Sequence, residues 1–309
     1  MDAAIRNIRR RKIKISTSRI LFAFLFCGIP FLLYLLFCVY PIFQSVLDSF
    51  TNWRGFVRKD FIGFENYQEV IMDPVFWKAF ANDFAITAIK EVLIIVLTVL
   101  FAVSLTRFRL KTGEVITYKF IFYIPNMLSV VIIGSLWRFI FMSGDSGLLN
   151  SFRGLFNQEP VDWITKFPLW CIGFVASWCG VGLFMITMIS AINQIPLDLY
   201  EAAEIDGASS WQQLIHITMP AVWLQVTFMV VSILYQSLGG NFAIVNVFTP
   251  NGGVDNNSMV MGLYVYIYGT SGSRVAFSYS AAIVMLTLTA IISLGIKSLM
   301  NLFGRRYYE

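Results

Sequence analysis

The sequence predicts an all-α polytopic membrane protein with six transmembrane helices. Of its 309 residues, 57% are hydrophobic and only 13% are charged, whereas about a quarter of residues are charged in soluble domains. Six apolar segments reach the length of about 20 residues that a helix needs to cross a bilayer core. These segments are residues 20–39, 84–105, 120–141, 169–192, 221–238 and 277–296.

The first apolar segment follows a basic stretch of the kind that precedes a secretory signal peptide. Residues 1–19 contain seven lysines and arginines. The apolar run is nevertheless too long for a signal sequence, and no small-x-small cleavage site follows Val39. We therefore expect a retained transmembrane helix, with Pro30 as a candidate position for a kink.

The distribution of positive charge orients the six spans. With the N-terminus in the cytoplasm, 14 of the 23 lysines and arginines lie on the cytoplasmic side and seven on the outer side. This arrangement satisfies the positive-inside rule, and the even number of spans places both termini in the cytoplasm. The expected organisation is a basic N-terminus at 1–19, a six-helix domain at 20–299, outer loops at 40–83, 142–168 and 239–276, and a cytoplasmic tail at 300–309.

Two outer segments are longer than a simple connection requires. The aromatic-rich loop at 40–83 is of a size that usually serves binding. The segment at 239–276 contains ten apolar residues at 259–268, which is about half the length of a membrane crossing. We expect this run to be re-entrant or interfacial.

Motifs that carry chemistry are absent from the sequence. The chain has a single histidine, His216, and no Cys-x-x-Cys, phosphate-binding loop or Gly-x-Ser-x-Gly sequence. We expect no enzyme activity, no metal or other cofactor on this chain, and no nucleic-acid partner. His216 is expected to be a surface residue. If ATP drives this protein, a separate chain must bind the ATP and Mg²⁺.

The loop at 193–220, here called the acidic loop, carries no lysine or arginine. It contributes nothing to the charge rule, and its cytoplasmic position follows from the alternation of spans. Leu199, Ala202 and Ala203 are predicted to lie on one helix face, to which the alanines give low relief, and Glu201 and Glu204 flank that face. We interpret the loop as a docking surface for a partner with cationic residues; the alternative is an ordinary solvated loop.

Capping signals divide the acidic loop into two short helices. Asp198 is predicted to be the N-cap of the first helix, with a glutamate three residues later in capping-box position. Gly207 supplies the left-handed residue that ends such a helix, which then spans residues 199–206. Ser209 or the next serine is predicted to cap a second helix, and Pro220 to end it.

The order of residues in the acidic loop resembles the cytoplasmic loop of ATP-binding-cassette (ABC) import permeases. In those proteins Glu-Ala-Ala precedes Gly by three residues, and Leu-Pro closes the segment. The positions in register are Glu201, Ala202, Ala203, Gly207, Ile217 and Pro220, with Met219 in place of Leu. The resemblance implies that the following residues couple the permease to its ATPase: Glu201, Ala202, Ala203, Glu204, Asp206 and Gly207.

The resemblance extends over most of the chain and is closest in kind to the carbohydrate-uptake, maltose-transporter class. The similar blocks are residues 40–53, 63–77, 123–138 and 178–208. One departure follows span five, where that class often has Phe-Asp and a Thr-x-Gly-Gly-Pro turn. This chain has Phe242-Ala243 and then Thr249-Pro250-Asn251-Gly252-Gly253 at that place.

The resemblance implies a type I ABC importer permease fold in the bacterial plasma (inner) membrane. The implied partners are a second homologous permease subunit, two cytoplasmic ABC ATPase subunits, an extracytoplasmic sugar-binding protein and membrane lipid. The implied function is to form half of a path for a sugar or oligosaccharide by alternating access. The alternatives are a permease for another polar solute, such as a phosphorylated polyol, and an ion-coupled secondary carrier. A secondary carrier should show an internal repeat, and none is visible.

Sugar recognition requires amides, hydroxyls and flat aromatic surfaces that converge on one cavity. The candidate path residues are Trp178, Tyr235, Gln236, Asn241, Phe242 and Tyr279. Helix packing and interfacial anchoring are the alternative roles for each of them. Glu91 is a further candidate because it lies within span two, where a structural partner charge is the alternative. Its neighbour Lys90 is expected to snorkel outward.

Overall fold

The computed structural model describes residues 21–22, 24–56, 59–107, 110–270 and 273–308, and the side chains only up to residue 304. Regular structure in these ranges is helical. The basic segment predicted at 1–19 lies outside the described residues. The helices are α1 (Phe24–Asp48), α2 (Glu65–Met72), α3 (Pro74–Arg107), α4 (Thr112–Met127), α5 (Val130–Ile140), α6 (Leu148–Gly154), α7 (Trp163–Lys166), α8 (Pro168–Ile192), α9 (Leu197–Ile205), α10 (Ser210–Ala221), α11 (Trp223–Ser237), α12 (Phe242–Phe248), α13 (Met261–Thr270) and α14 (Val275–Tyr308).

Four of the described helices, α1, α3, α8 and α14, are long and apolar enough to cross a membrane. Two further crossings are each built from a bent pair of helices. The axes of α4 and α5 differ by 97°, and those of α10 and α11 by 69°. With each pair counted as one span, the total is six, so the prediction of an all-α protein with six spans is confirmed.

Several helices extend well beyond the apolar runs that predicted them. Helix α1 continues to Asp48, and α3 begins at Pro74, so the outer loop predicted at 40–83 is largely helical. The predicted tail at 300–309 continues α14 as far as it is described. Apolar composition marks only the part of a helix that lies within the bilayer core, whereas backbone hydrogen bonding continues into polar sequence until a residue interrupts it.

Helix α8 packs along α3, and small residues allow the two backbones to approach closely. A Cβ atom at Gly173 would lie 2.7 Å from Ile89, and one at Gly180 would lie 2.6 Å from Ile94. On another face of α8, a Cβ at Gly182 would lie 2.1 Å from the backbone carbonyl oxygen of residue 122 in α4. Small residues at such crossings are a general feature of membrane helix packing. Helices α3 and α8 are therefore the most extensively packed pair in the described part of the chain.

The span predicted as one helix at 120–141 is interrupted at Leu128 and Ser129. Both residues have extended backbone angles, with ψ of 149° and 135°. Pro125 lies in the last turn of α4 and removes a backbone donor there. The Ser129 hydroxyl then accepts a hydrogen bond from the backbone N–H of Val131 at 3.3 Å and caps α5. The interruption produces the 97° bend.

The second helix of the acidic loop ends at Ala221, one residue after the predicted end at Pro220. The chain forms a π-helical turn at Leu214–Thr218, and helix continues through Pro220 to Ala221. The break falls at Val222, with φ of −96° and ψ of 10°. The π-helical turn directly before Pro220 departs from the regular hydrogen-bond pattern of an α-helix, so the chain can accept a proline that has no N–H to donate.

The apolar run at 259–268 forms most of α13, which is ten residues long and too short to cross a membrane. Helix α13 packs against α14 and α3, and its Tyr264 is fully buried. The Tyr264 hydroxyl donates to Oδ2 of Asp73 at 2.6 Å. The run therefore packs against the bundle as a helix too short to cross a membrane.

An ion pair joins α2 to the residue that precedes α14. Arg274 Nη1 donates to Oε1 of Glu69 at 2.8 Å. The hydrogen bond from Arg274, and then its charge, lower the pKa of Glu69 from its ordinary value of 4.5. A carboxyl with a lowered folded-state pKa contributes stability above its unfolded pKa, and this contribution is lost as the pH falls through the folded value.

The ion pair therefore gives a pH-dependent prediction. Wild type should melt at a slightly higher temperature than the Glu69→Gln variant above about pH 5, and the difference should vanish at lower pH. The effect should be small because both side chains are partly exposed to solvent. Thermal unfolding of the detergent-solubilised proteins across this range is the measurement. A difference in melting temperature that stays constant with pH would contradict the assignment.

Candidate functional site

The first helix of the acidic loop, α9, begins earlier than its sequence predicts. The N-cap position is occupied by Pro196, which makes no side-chain capping hydrogen bond. The prediction of Asp198 as the N-cap is therefore wrong. Asp198 lies in the first turn instead, where its negative charge interacts favourably with the helix dipole. The extended backbone of Pro196 sets the start of the helix without a capping side chain.

Gly207 ends α9 as predicted. Its φ is +79°, in the left-handed region that favours glycine. Its N–H donates to the carbonyl of Glu204 at 3.1 Å, and the N–H of Ala208 donates to the carbonyl of Ala203 at 2.9 Å. These two hydrogen bonds form a Schellman motif, which satisfies the last carbonyls of the helix. The chain direction after α9 is thus fixed by one glycine.

The second helix of the loop, α10, has the predicted serine cap. Ser209 Oγ accepts from the N–H of Gln212 at 3.3 Å, and Gln212 Oε1 accepts from the N–H of Ser209 at 2.7 Å. The two bonds make a reciprocal capping box. His216 lies on the exposed side of this helix, as expected. Both helices of the acidic loop are therefore defined by local hydrogen bonds.

The predicted coupling residues form the outward face of the loop. Glu201, Ala202, Glu204, Asp206 and Gly207 are exposed, and Ala203 is half-buried. The charges are free of ion pairs with other described residues. This face is therefore available to a partner.

Apolar side chains on the same loop were missed by the sequence reasoning. Ile205 is 87% exposed and Trp211 is 68% exposed, and they flank Gly207 in the chain. Leu197 is also exposed, as is Leu199, which the sequence places on the same face as the two alanines. Exposed apolar side chains on this loop add area that a partner could cover. The signal available in the sequence is the presence of Ile205 and Trp211, two isolated large apolar residues, in a loop whose other notable residues are acids and alanines.

The inner side of the loop is anchored to the bundle. Tyr200 is only 5% exposed, and its hydroxyl lies 2.9 Å from the hydroxyl of Thr218. The Arg107 guanidinium, at the end of α3, lies 3.4 Å from the centre of the Tyr200 ring. Arg107 also donates to the side-chain oxygen of Gln213. The loop therefore has a fixed inner face and a free outer face.

The candidate path residues lie in different places. Tyr235 is 73% exposed on α11, and Gln236 beside it is also exposed. Trp178 packs edge-on against Trp137, with ring centres 5.6 Å apart. Trp178 also lines a small apolar cavity to which no other candidate contributes. Tyr235 and Gln236 are thus open to a ligand or partner, and Trp178 packs against Trp137 while 40% of it remains exposed.

The remaining aromatic candidates take part in packing. Phe242 stacks obliquely on Tyr266, with ring centres 4.8 Å apart, and Tyr279 faces Trp53 at 6.2 Å. Glu91 is half-buried, and its Oε1 has no hydrogen-bond partner among the described residues. The structure therefore does not bring the candidates together into one cavity within this chain.

Asn241 binds a buried carboxylate that the sequence reasoning placed in an outer loop. Asp83 lies within α3 and is fully buried. Asn241 Nδ2 donates to Oδ1 of Asp83 at 2.7 Å, and the N–H of Gly239 donates to Oδ2 at 2.8 Å. Asp83 thus holds the chain where it leaves α11. It was missed because the hydropathy boundary of span two fell at residue 84.

Lys90 does not snorkel outward as expected. Its ammonium group donates to Oγ of Ser237 on α11 at 2.8 Å. A lysine inside a span is stabilised when it finds such a polar partner in the bundle. Together with Asp83, which lies about two turns away in the same helix, Lys90 links α3 to the end of α11.

Six apolar crossings, joined in part by a loop with an anchored inner face and an exposed outer face, are the architecture of an integral membrane permease. The family described as binding-protein-dependent transport system inner membrane components matches residues 94–308. The chain belongs to this family and is an inner-membrane permease. Membership of this family excludes the alternative of an ion-coupled secondary carrier.

Individual relatives are permease proteins of sugar uptake systems. The diacetylchitobiose uptake system permease protein NgcF of Streptomyces coelicolor is 27% identical, over 94% of this chain and 86% of the relative. The probable starch degradation products transport system permease protein AmyD of Thermoanaerobacterium thermosulfurigenes is 28% identical, over 82% of this chain and 85% of the relative.

A solved structure has the same fold. It is a crystal structure of a bacterial alginate ABC transporter in complex with an alginate pentasaccharide-bound periplasmic protein. One of its chains superposes with a TM-score of 0.75 at 21% identity, over 96% of this chain and 98% of that chain. The likeness establishes the type I ABC importer permease fold.

Proposed function

We propose that this chain is the permease subunit of an ATP-driven importer and forms half of the path for a sugar or oligosaccharide. The observation that carries the proposal is the acidic loop, whose inner face is anchored to the bundle while its outer face is free. Such a loop can transmit movement only if a partner holds it from outside. The sugar uptake systems of the relatives support the substrate class.

The partner at the loop is an ATPase that binds ATP and Mg²⁺ on a separate chain. The exposed acids from Glu201 to Asp206 provide the charge for contact with cationic residues, and Ile205 and Trp211 provide apolar area. Two such ATPase subunits would serve two permease halves. Because the ATPase is cytoplasmic, the proposal requires the acidic loop and both chain termini to lie in the cytoplasm. The distribution of lysine and arginine supports this orientation.

The surface of α1 supports a second, homologous permease subunit. None of the most apolar stretch of α1 is buried within this chain, whereas 56% of the corresponding stretch of α8 is buried. In the assembled importer, α1 would pack against the other subunit or lipid. The opposite, outer side of the complex would receive a sugar-binding protein, as in the alginate transporter whose structure includes a periplasmic protein.

The proposal is tested by purifying the tagged chain from its native host and measuring the ATPase that copurifies. The Ile205→Glu variant should recover at least about fivefold less ATPase than wild type, because a charge would replace apolar contact area in the docked state. Leu155→Glu is the matched control, since Leu155 is 76% exposed in the predicted outer loop at 142–168.

The control variant should copurify with ATPase at the wild-type level, because its substitution lies away from the acidic loop. Equal losses in the two variants would indicate general damage to the membrane domain. Recovery of no ATPase with the unaltered chain, under conditions that retain the complex, would overturn the proposed function.

A further inference from the structure

Arg107 holds both helices of the acidic loop from the side of the bundle. Its guanidinium lies over the ring of Tyr200 in α9, at 3.4 Å from the ring centre. It also donates to the amide oxygen of Gln213 in α10. Gln213 in turn donates through Nε2 to the carbonyl of Ala208, between the two helices. A cation stacked on a buried ring and hydrogen-bonded beside it resists separation of the loop from α3.

The other end of α3 holds the segment between α11 and α13. Asp83 accepts the N–H of Gly239, and Asn82 donates to the carbonyl of Met259 at 3.0 Å. Lys78 donates to a backbone carbonyl of the same segment at 2.6 Å. These bonds fix residues 239–259 to the N-terminal turns of α3.

Between its two ends, α3 is one uninterrupted helix. Asp83 and Arg107 are 24 residues apart in it, which corresponds to roughly 36 Å. The glycine contacts with α8 support it along this length. The spans α4–α5 and α10–α11, by contrast, are broken between their ends. Helix α3 is therefore a continuous connection between the acidic loop and residues 239–259.

We infer that Arg107 is a positioning residue that makes α3, and with it residues 239–259, follow the movement of the acidic loop. The inference rests on the proposed function, because an ATPase must first move the loop. The contacts of Arg107 with Tyr200 and Gln213 are the non-covalent link that transmits movement of the acidic loop to α3 and to the far end of the bundle. Loss of this link should leave the docking face intact while the far end no longer responds to ATP.

The test uses the complex copurified with the full chain and a thiol placed at the far end. Val254 is 65% exposed, so a Val254→Cys substitution accepts a maleimide dye. The four native cysteines are first replaced by serine or alanine. The labelling rate at position 254 is measured without nucleotide and with ATP, Mg²⁺ and vanadate. With Arg107 present, the two rates should differ by about fivefold or more, the usual scale of coupling between sites.

Arg107→Ala should bring the ratio of the two labelling rates to about one while the ATPase still copurifies and hydrolyses ATP. Arg107→Lys should restore most of the ratio, because an ammonium group can also lie over the Tyr200 ring. A second pair of variants separates the ring from its hydroxyl. Tyr200→Phe keeps the ring and should behave as wild type, whereas Tyr200→Leu removes it and should resemble Arg107→Ala.

An unchanged ratio in Arg107→Ala overturns the inference. Loss of the copurified ATPase in that variant also overturns it, since Arg107 would then only maintain the folded loop. The inference is also overturned if the complex with Arg107 present hydrolyses ATP but the labelling rate at position 254 is the same with and without nucleotide. These results are distinct from failure of the proposed function, in which the unaltered chain recovers no ATPase at all.

Discussion

Replacing Gly207 with valine is expected to remove most of the copurified ATPase while the protein still inserts into the membrane. The φ of +79° at this position is strained for a β-branched residue by about 1–3 kcal/mol. The space around the glycine is open, so the penalty arises from the backbone alone. Relief of the strain requires the Schellman motif to open, which would turn α9 away from α10. A penalty of about 2 kcal/mol lowers the equilibrium population of the docking-competent loop roughly 30-fold.

Gly113 provides the matched control for this prediction. It is exposed near the start of α4 and has ordinary helical backbone angles, and a Cβ atom added there would also meet open space. Gly113→Val should therefore copurify with the ATPase at close to the wild-type level. Gly207→Ala should show a smaller loss than Gly207→Val, because alanine enters the left-handed region at lower cost. Equal copurification in Gly207→Val and wild type would refute the role of the turn.

Replacing Asp83 with alanine is expected to lower the melting temperature of the detergent-solubilised protein by roughly 5–10 °C. The substitution leaves the N–H of Gly239 and the amide of Asn241 without their acceptor inside the bundle. Hydrogen bonds to a charged group contribute about 1.5–3 kcal/mol each, and two are lost. The damage should be local to the junction between α11 and α12, because Asp83 contacts the chain there.

Exchanging the carboxylate and the amide between positions 83 and 241 tests the contact between Asp83 and Asn241. Asp83→Asn should also destabilise, since its amide group would face the amide of Asn241. Adding Asn241→Asp restores a carboxylate and an amide in exchanged positions, and should recover at least about half of the lost melting temperature. Asp145→Asn is the control, because Asp145 is exposed. Additive losses in the double variant would show that the two side chains do not stabilise one another.

Features that depend on local chemistry were predictable from the sequence. The left-handed turn at Gly207 and the capping box at Ser209 follow from residue type and spacing, and the structure contains both. The six apolar runs likewise follow from hydropathy, which records the chemistry of the bilayer residue by residue. The outward face of the acidic loop was predicted for its acids because charge is visible in the sequence.

Features that depend on contacts distant in the chain were not predictable. Lys90 meets Ser237, 147 residues away, and Asp83 meets Asn241, 158 residues away. From hydropathy alone, Lys90 is expected to snorkel and Asp83 to lie outside span two. Hydropathy gives no information on which helix packs against these residues. The exposure of Ile205 was hidden for the same reason, since an isoleucine beside a helix end is as consistent with packing as with docking.

Helix α3 is longer than a membrane crossing requires, and its length amplifies small rotations. Its 34 residues extend for roughly 51 Å, whereas the hydrocarbon core is about 30 Å thick. A rigid lever of this length that tilts by about 5° about one end displaces its other end by roughly 4 Å. A rotation too small to disturb the packing of the bundle would thus be large enough, at the far end of α3, to open or close a gap wider than a water molecule.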